Sequence, residues 1–449
     1  MTAVAGPRPL LPRDLLRACV HCGLCLPTCP TYDLLGDERD SPRGRIFQMK
    51  AAADGVVALD DPALRRHLDR CLGCRACETA CPSGVQFGRA LEEVRAVLPP
   101  ASHQGEAIGA LILDGLFASP RLLDVAGTAL RAYHHLGLGR AARRAGLFSR
   151  LPPGLGNMEA LLPTPQPFRS LPAHIPPRGE PRARVGLITG CVMRQFFSAA
   201  NRATARVLAV NGAAVVTPGG QGCCGALHLH SGHRSMAQVL ARKMIEAFPE
   251  DLDAIIVNAA GCGATLKEYG HLLAGNQVYA ERAARFAARI RDVSEWLDQI
   301  GLRPPTTPVS IVVTYQDACH LRHGQRIHEA PRRLLRAIPG LDLVELPGAA
   351  DCCGSAGIYN LTQPDLADRL QAQKIDKIRG TGARCLAVGN PGCAIQIAGG
   401  LRARGVRMAV VHPVELLDRA YGREREEAMP STRSGTIEIG SKRTRGGVR

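Results

Sequence analysis

The chain has 449 residues, 45% hydrophobic and 21% charged, which gives length for several domains and the composition of a folded globular protein. Its net charge of +16 suits an acidic partner protein or an anionic lipid surface, whereas few aromatics and no zinc-finger, RRM or KH pattern exclude a dedicated nucleic-acid binder. Seventeen cysteines, many separated by two residues, point to metal in a reducing compartment and against a disulfide framework. The most apolar stretch, residues 108–117, is broken by Asp114, and no charged segment followed by an apolar run opens the chain. Neither a membrane span nor a secretory leader is expected.

Residues 1–100 carry one pattern twice. The first copy is Cys19-Val-His-Cys22-Gly-Leu-Cys25-Leu-Pro-Thr-Cys29-Pro30, and the second is Cys71-Leu-Gly-Cys74-Arg-Ala-Cys77-Glu-Thr-Ala-Cys81-Pro82. Both read C-x2-C-x2-C-x3-C-P, the run of two-cluster bacterial ferredoxins. A [4Fe–4S] cube needs one soft thiolate per iron, and three cysteines at intervals of three can wrap one cube. The fourth, before a proline, reaches the other cube. This assigns Cys19, Cys22, Cys25 and Cys81 to one cluster, and Cys71, Cys74, Cys77 and Cys29 to the other. A pair of structural zinc sites is the weaker alternative, since those use paired cysteines rather than two runs of four. Between the runs, residues 42–53 and 61–68 read as helices, the second with Pro62 in its first turn. The module is therefore expected to be helical, with Arg43 and Arg45 read as a solvated basic face ahead of the alternative that they face an electron-transfer partner.

Residues 101–149 read as a helical extension (107–117, 120–136 and 139–148) packing against that module. Residues 150–183 hold nine prolines and read as an extended linker, where the main domain boundary is expected.

From residue 184 the chain repeats itself. Unit 1 (184–300) has strands at 185–190, 213–217 and 254–257, helices at 198–210 and 234–248, and a closing segment 293–298. Unit 2 (301–422) has strands at 311–315, 342–346 and 386–388, helices at 330–338 and 364–378, and a closing segment 414–418. Alternating strands and helices imply two parallel α/β units related by a pseudo-twofold. The tail, 423–449, is basic, patternless and expected to be disordered.

Each unit sets four cysteines at strand ends, where α/β folds place their sites. They are Cys191, Cys223, Cys224 and Cys262 in unit 1, and Cys319, Cys352, Cys353 and Cys393 in unit 2. Each Cys-Cys pair is followed by a glycine, Gly225 or Gly354, that permits a tight turn. Cys385 has no counterpart and reads as a buried structural thiol. Gly220-Gln-Gly222-Cys-Cys-Gly225 matches a dinucleotide fingerprint, but unit 2 lacks those glycines, so the match is read as coincidence. No flavin or nicotinamide site is recognisable. His228, His230, His233 and His320 are candidate ligands or proton donors, though a lone histidine more often serves hydrogen bonding.

The paired cysteine units resemble the CCG domain of heterodisulfide reductases and related respiratory subunits. That family ends its motif in C-x2-C. Here Ala259 and Asn390 stand where the first of those cysteines would be. Three readings of the eight unit cysteines stay open: a four-thiolate cluster, a thiol redox site, or a structural remnant. The whole chain up to the tail, and especially the stretch from Cys19 through Pro30-Thr-Tyr-Asp-Leu-Leu-Gly-Asp-Glu-Arg-Asp-Ser-Pro-Arg-Gly-Arg45, resembles the iron–sulfur subunit of glycolate oxidase (glycolate dehydrogenase). The fold expected is α+β and multidomain: a helical two-[4Fe–4S] ferredoxin module, then two pseudo-repeated α/β CCG units. The resemblance implies an electron relay between FAD-binding subunits that oxidise glycolate to glyoxylate and a membrane quinone or equivalent acceptor. It also implies a cytoplasmic chain that can sit peripherally on the inner membrane, and no FAD or NAD on the chain itself. Equivalent subunits for lactate or glycerol-3-phosphate oxidation share the architecture, and a heterodisulfide-reductase-like enzyme is the rival from another class.

Overall fold

Four helices enclose the two cysteine runs: Pro30–Leu35, Pro42–Ala53, Pro62–Asp69 and Phe87–Arg95. The computed structural model describes residues 11–99, 111–145, 161–162 and 169–422. Proline opens the first three helices, where its missing N–H leaves no bond unmade. Ser41 and Asp61 cap the second and third by accepting from Gly44 N and from Ala63 and Leu64 N. Ile46, Met49, Leu68, Phe87, Leu91 and Val94 form the module core, and cysteines from both runs pack against it.

The helical extension departs from expectation. It comprises the wide π-type turns Leu111–Phe117 and the helices Pro120–His135 and Leu138–Arg144. Among the described residues it makes polar contacts to unit 1. His228 Nε2 donates to Leu113 O at 2.9 Å, His233 lies 3.0 Å from Asp114, and Arg194 pairs with Asp124 at 2.6 Å. Gly127 permits the close approach, because a Cβ there would lie 2.5 Å from Gln195 Oε1. The parts of the expected helices at 107–110 and 146–148, much of the proline-rich stretch, and the tail lie outside the described residues. The end of that stretch is not simply extended linker. His174–Ile175 forms β1, an antiparallel edge strand on β3.

Unit 1 is a five-stranded sheet ordered β1-β3-β2-β4-β5, with β2 Ala183–Leu187, β3 Ala213–Val216, β4 Ala254–Val257 and β5 Ile290–Asp292. Unit 2 is ordered β7-β6-β8-β9, with β6 Ile311–Gln316, β7 Leu341–Val344, β8 Cys385–Val388 and β9 Ala409–Val411. Every pair except β1–β3 is parallel. Cys385 lies buried in β8. The closing segments are the helices Val293–Ile300 and Pro413–Ala420, each entered from a three-residue strand too short to show in the hydropathy pattern.

These closing helices are exchanged. Val293–Ile300 of unit 1 packs on Glu329–Arg336 of unit 2, and Pro413–Ala420 of unit 2 packs on Ser198–Val210 of unit 1. Matching ion pairs hold the two crossings: Arg333–Asp298 at 2.5 Å and Arg206–Asp418 at 2.6 Å. Leu187, Val207, Leu297, Val313, Leu335 and Leu417 fuse into one core that spans both units. The pseudo-twofold is thus built into the packing as well as the sequence.

Candidate electron-transfer site

Two cavities open in the ferredoxin module, and each takes three cysteines from one run and the fourth from the other. Cys19, Cys22, Cys25 and Cys81 line an outer cavity of about 290 Å³. Cys29, Cys71, Cys74 and Cys77 line an inner cavity of about 330 Å³. The loops have matching backbones. His21 and Gly23 in the first run, and Gly73 and Arg75 in the second, all have positive φ, between 57° and 86°. Such alternation turns successive N–H groups into one concavity, which suits an anion or an iron–sulfur group. Gly73 N already donates to Cys71 Sγ at 3.4 Å.

Arg45 corrects the expectation of a solvated basic face. It is 0% exposed, donating to His67 O at 2.7 Å, Thr31 Oγ1 at 3.1 Å and Asp40 at 3.2 Å, with Nη1 3.9 Å from Cys29 Sγ. Asp40 is held further by His67 Nδ1 at 3.0 Å and Arg70 at 2.9 Å. A buried cation this close to a cysteine sulfur would offset the negative charge of thiolates and of a cluster held by them. Arg43 stays near the surface, paired with Glu38 at 2.7 Å and donating to His21 O. Four convergent thiols, an inward-turned backbone and a compensating cation fit a [4Fe–4S] group.

In the CCG-type units the four cysteines of each repeat converge as expected. Cys191, Cys223, Cys224 and Cys262 lie close enough for neighbouring sulfurs to perturb one another, as do Cys319, Cys352, Cys353 and Cys393. Donation to the next sulfur, and then burial, pushes the Cys191 and Cys319 thiols well above their ordinary range. The glycines after the pairs are required: Gly225 and Gly354 have φ of 81° and 82°, and a Cβ at Gly354 would lie 2.5 Å from Ala367 O.

Asn390 takes a role that its sequence position alone did not reveal. Its Nδ2 donates to Cys393 Sγ at 3.3 Å, and its Oδ1 accepts from Gly261 N of unit 1 at 3.1 Å. Ala259, its counterpart, is buried and offers only a methyl.

The inner cavity abuts unit 2. Leu72 and Cys74 share one apolar cluster with Cys352, Tyr359, Leu366 and Leu370. Tyr359 Oη donates to Arg70 O at 3.0 Å, and His320 Nε2 donates to Gly73 O at 2.9 Å. Burial, and next the neighbouring Cys319 sulfur, pushes the Cys74 thiol up. The candidate histidines are therefore committed to joints: His320 to the inner loop, His230 to Glu92 at 2.6 Å, and His228 and His233 to the extension. Burial, followed by the nearby His230, pushes His320 down to about 3, so it stays neutral. No helix among the described residues is long and apolar enough to cross a membrane.

Convergent thiols in a dicluster module, seated on a tandem cysteine-rich scaffold, define an iron–sulfur electron-transfer protein. Family comparison finds matches to three family models along the chain. Residues 15–85 match the 4Fe-4S dicluster domain, and residues 185–267 and 313–398 match the cysteine-rich domain. Residues 104–162 match the linker region of the glycolate oxidase iron-sulfur subunit. The chain is 39% identical over 420 residues to a probable glycolate oxidase iron-sulfur subunit of Bacillus subtilis, covering 90% of this chain and 94% of that one. It is 34% identical over 426 residues to the glycolate oxidase iron-sulfur subunit of Escherichia coli, covering 93% and 97%. It is also 29% identical over 418 residues to one of the subunits of a fumarate reductase (CoM/CoB) from Methanothermobacter marburgensis, covering 90% and 72%. The chain belongs to the family of glycolate oxidase iron-sulfur subunits.

Proposed function

We propose that this chain is the electron-relay subunit of a glycolate-oxidising complex, with Cys19, Cys22, Cys25 and Cys81 holding an outer cube and Cys29, Cys71, Cys74 and Cys77 an inner one. The observation that carries this reading is the three-plus-one crossing of the two cysteine runs over two adjoining cavities. Bound there, the cubes supply a pair of one-electron carriers, which suits splitting the two electrons of glycolate oxidation between FAD-binding subunits and a quinone-type acceptor.

The chain's own residues set the environment. Arg45 neutralises charge at the inner position, while Leu72, Tyr359 and Leu366 keep water from the side facing unit 2. Cys74 beside Cys319 and Cys352 favours unit 2 as the continuation of the path and gives its four thiols a redox role. The extension over unit 1 leaves that unit's four thiols a supporting one. Peripheral contact with the cytoplasmic face of the membrane accords with the net charge of +16.

The test is metal analysis and EPR on the intact chain, followed by turnover of the assembled complex. Wild type should carry two cubes, and Cys22→Ser and Cys74→Ser should each lose one, about four irons. Both variants should abolish acceptor reduction while dye-linked glycolate oxidation by the partner subunits survives. Unchanged acceptor reduction would refute the relay. Turnover with lactate or glycerol 3-phosphate, and none with glycolate, would transfer the subunit to one of those complexes.

A further inference from the structure

The two cysteine loops have the same backbone and opposite surroundings. In the inner loop, the residue after the first cysteine is Leu72, 8% exposed and covered by Cys352, Tyr359 and Leu370 of unit 2. In the outer loop the matching residue is Val20, 67% exposed. Leu24 of the same loop is 59% exposed, and Phe47, whose ring meets His21 edge-on at 6.3 Å, is 65% exposed. Cys22 is the one exposed cysteine of all seventeen. Three large apolar side chains around an open cysteine cavity are costly to leave in water, and they form a patch of the kind that marks a protein contact. Within this chain, the equivalent face of the second loop already is such a contact.

The rim of the patch is cationic. Lys50 Nζ lies 3.3 Å from Cys19 O and 3.3 Å from His21 Nε2, turned toward the loop rather than toward a carboxylate. Arg43, paired with Glu38, closes the other side with its Nη1 3.2 Å from His21 O. We infer that the face formed by Val20, Leu24 and Phe47, rimmed by Arg43 and Lys50, is the docking surface for the flavin-bearing donor subunit. That subunit would present an apolar centre with carboxylates around it. The arrangement places the outer cavity at the seam between chains, as the inner cavity sits at the seam between module and unit 2. The inference rests on the relay reading above and adds the direction of entry to it.

The experiment measures association and electron entry separately, with full-length chain and the FAD-binding partner subunits. Phe47→Asp and Val20→Asp, each checked by EPR for two intact clusters, should weaken the complex about tenfold to a hundredfold by calorimetry. Lys50→Glu should slow association about tenfold at low salt and flatten its salt dependence. Val278→Asp, at an equally exposed apolar residue of unit 1, is the control and should change neither. In all three test variants glycolate should reduce the clusters more slowly, while dithionite reduces them at the wild-type rate. Unchanged affinity with both clusters present would overturn the docking face. So would normal reduction by glycolate with slowed reoxidation by the acceptor, which would make the face an exit. A chain whose clusters glycolate never reduces, even in wild type, would instead refute the relay reading itself.

Discussion

Units 1 and 2 share the order of four parallel strands, exchanged closing helices and a convergent set of four thiols, yet those thiols have different surroundings. Unit 1 is covered by the helical extension, through Leu113 and Asp114, and meets the module through polar contacts such as His230–Glu92 and Glu268–Arg75. Unit 2 packs its own thiol site, through Cys352, against Leu72 and Cys74 of the module's inner loop, with His320 bonded to Gly73. The repeat therefore supplies two equivalent sets of four thiols, and the packing at the module decides which set adjoins the inner cysteine cavity. Asn390 reinforces the difference: unit 2 has a hydrogen-bond donor on Cys393 where unit 1 has the methyl of Ala259.

The largest effect expected from this asymmetry is on turnover. Cys352→Ser should take acceptor-linked turnover of the complex to background, whereas Cys223→Ser should leave most of it. Equal losses would make the two pockets equivalent and break the comparison. Next in size are the two covering seams. Leu72→Ala should destabilise the joint between module and unit 2 by about 3 kcal/mol, and Leu113→Ala should cost a similar amount. Only the first should impair electron transfer, as read by urea denaturation alongside stopped-flow reduction.

The two closing helices sharpen the comparison through pH. Asp292 caps one helix, and burial raises it to about 6; His412 caps the other, and burial lowers it to about 4. Unfolded His412 gains a proton below about pH 6.5 that the folded chain refuses until about pH 4, so its contribution to stability falls on acidification. Folded Asp292 gains its proton near pH 6, before the unfolded chain does, so its contribution rises on acidification over much of the same window. The two oppose each other at up to about 1.4 kcal/mol per pH unit each. Asp292→Asn should therefore steepen the loss of stability between about pH 6.5 and 4, and His412→Asn should flatten or reverse it. Denaturant titrations across that range would show identical slopes if the caps did not titrate. The smallest effect is local: Asn390→Ala should cost about 1 kcal/mol, and Ala259→Gly should not reproduce its effect on the unit 2 thiols. The reactivity of Cys393 toward an alkylating reagent reads the difference.

Much of this was legible in the sequence because spacing encodes it. The two C-x2-C-x2-C-x3-C-P runs indicated which thiols share a cavity, and the Cys-Cys-Gly runs indicated the tight positive-φ turns at Gly225 and Gly354. The helix Ser198–Val210 and the strand Ala254–Val257 fall where the hydropathy period placed them. What stayed hidden depends on long-range contact. Arg45 looked like one more surface cation until Asp40, Thr31 and Cys29 closed around it. β5 and β9 are too short for a periodic signal, and β1 exists only because β3 offers it an edge. The choice of neighbour for each unit is a property of packing that no single segment carries.

The most direct test of the central claim is an EPR-monitored redox titration of the full chain, comparing wild type with Cys352→Ser and Cys223→Ser. The account predicts two interacting [4Fe–4S] signals, with the potential of one moved by Cys352→Ser and left in place by Cys223→Ser. Equal shifts in both variants, or a shift only with Cys223→Ser, would contradict it.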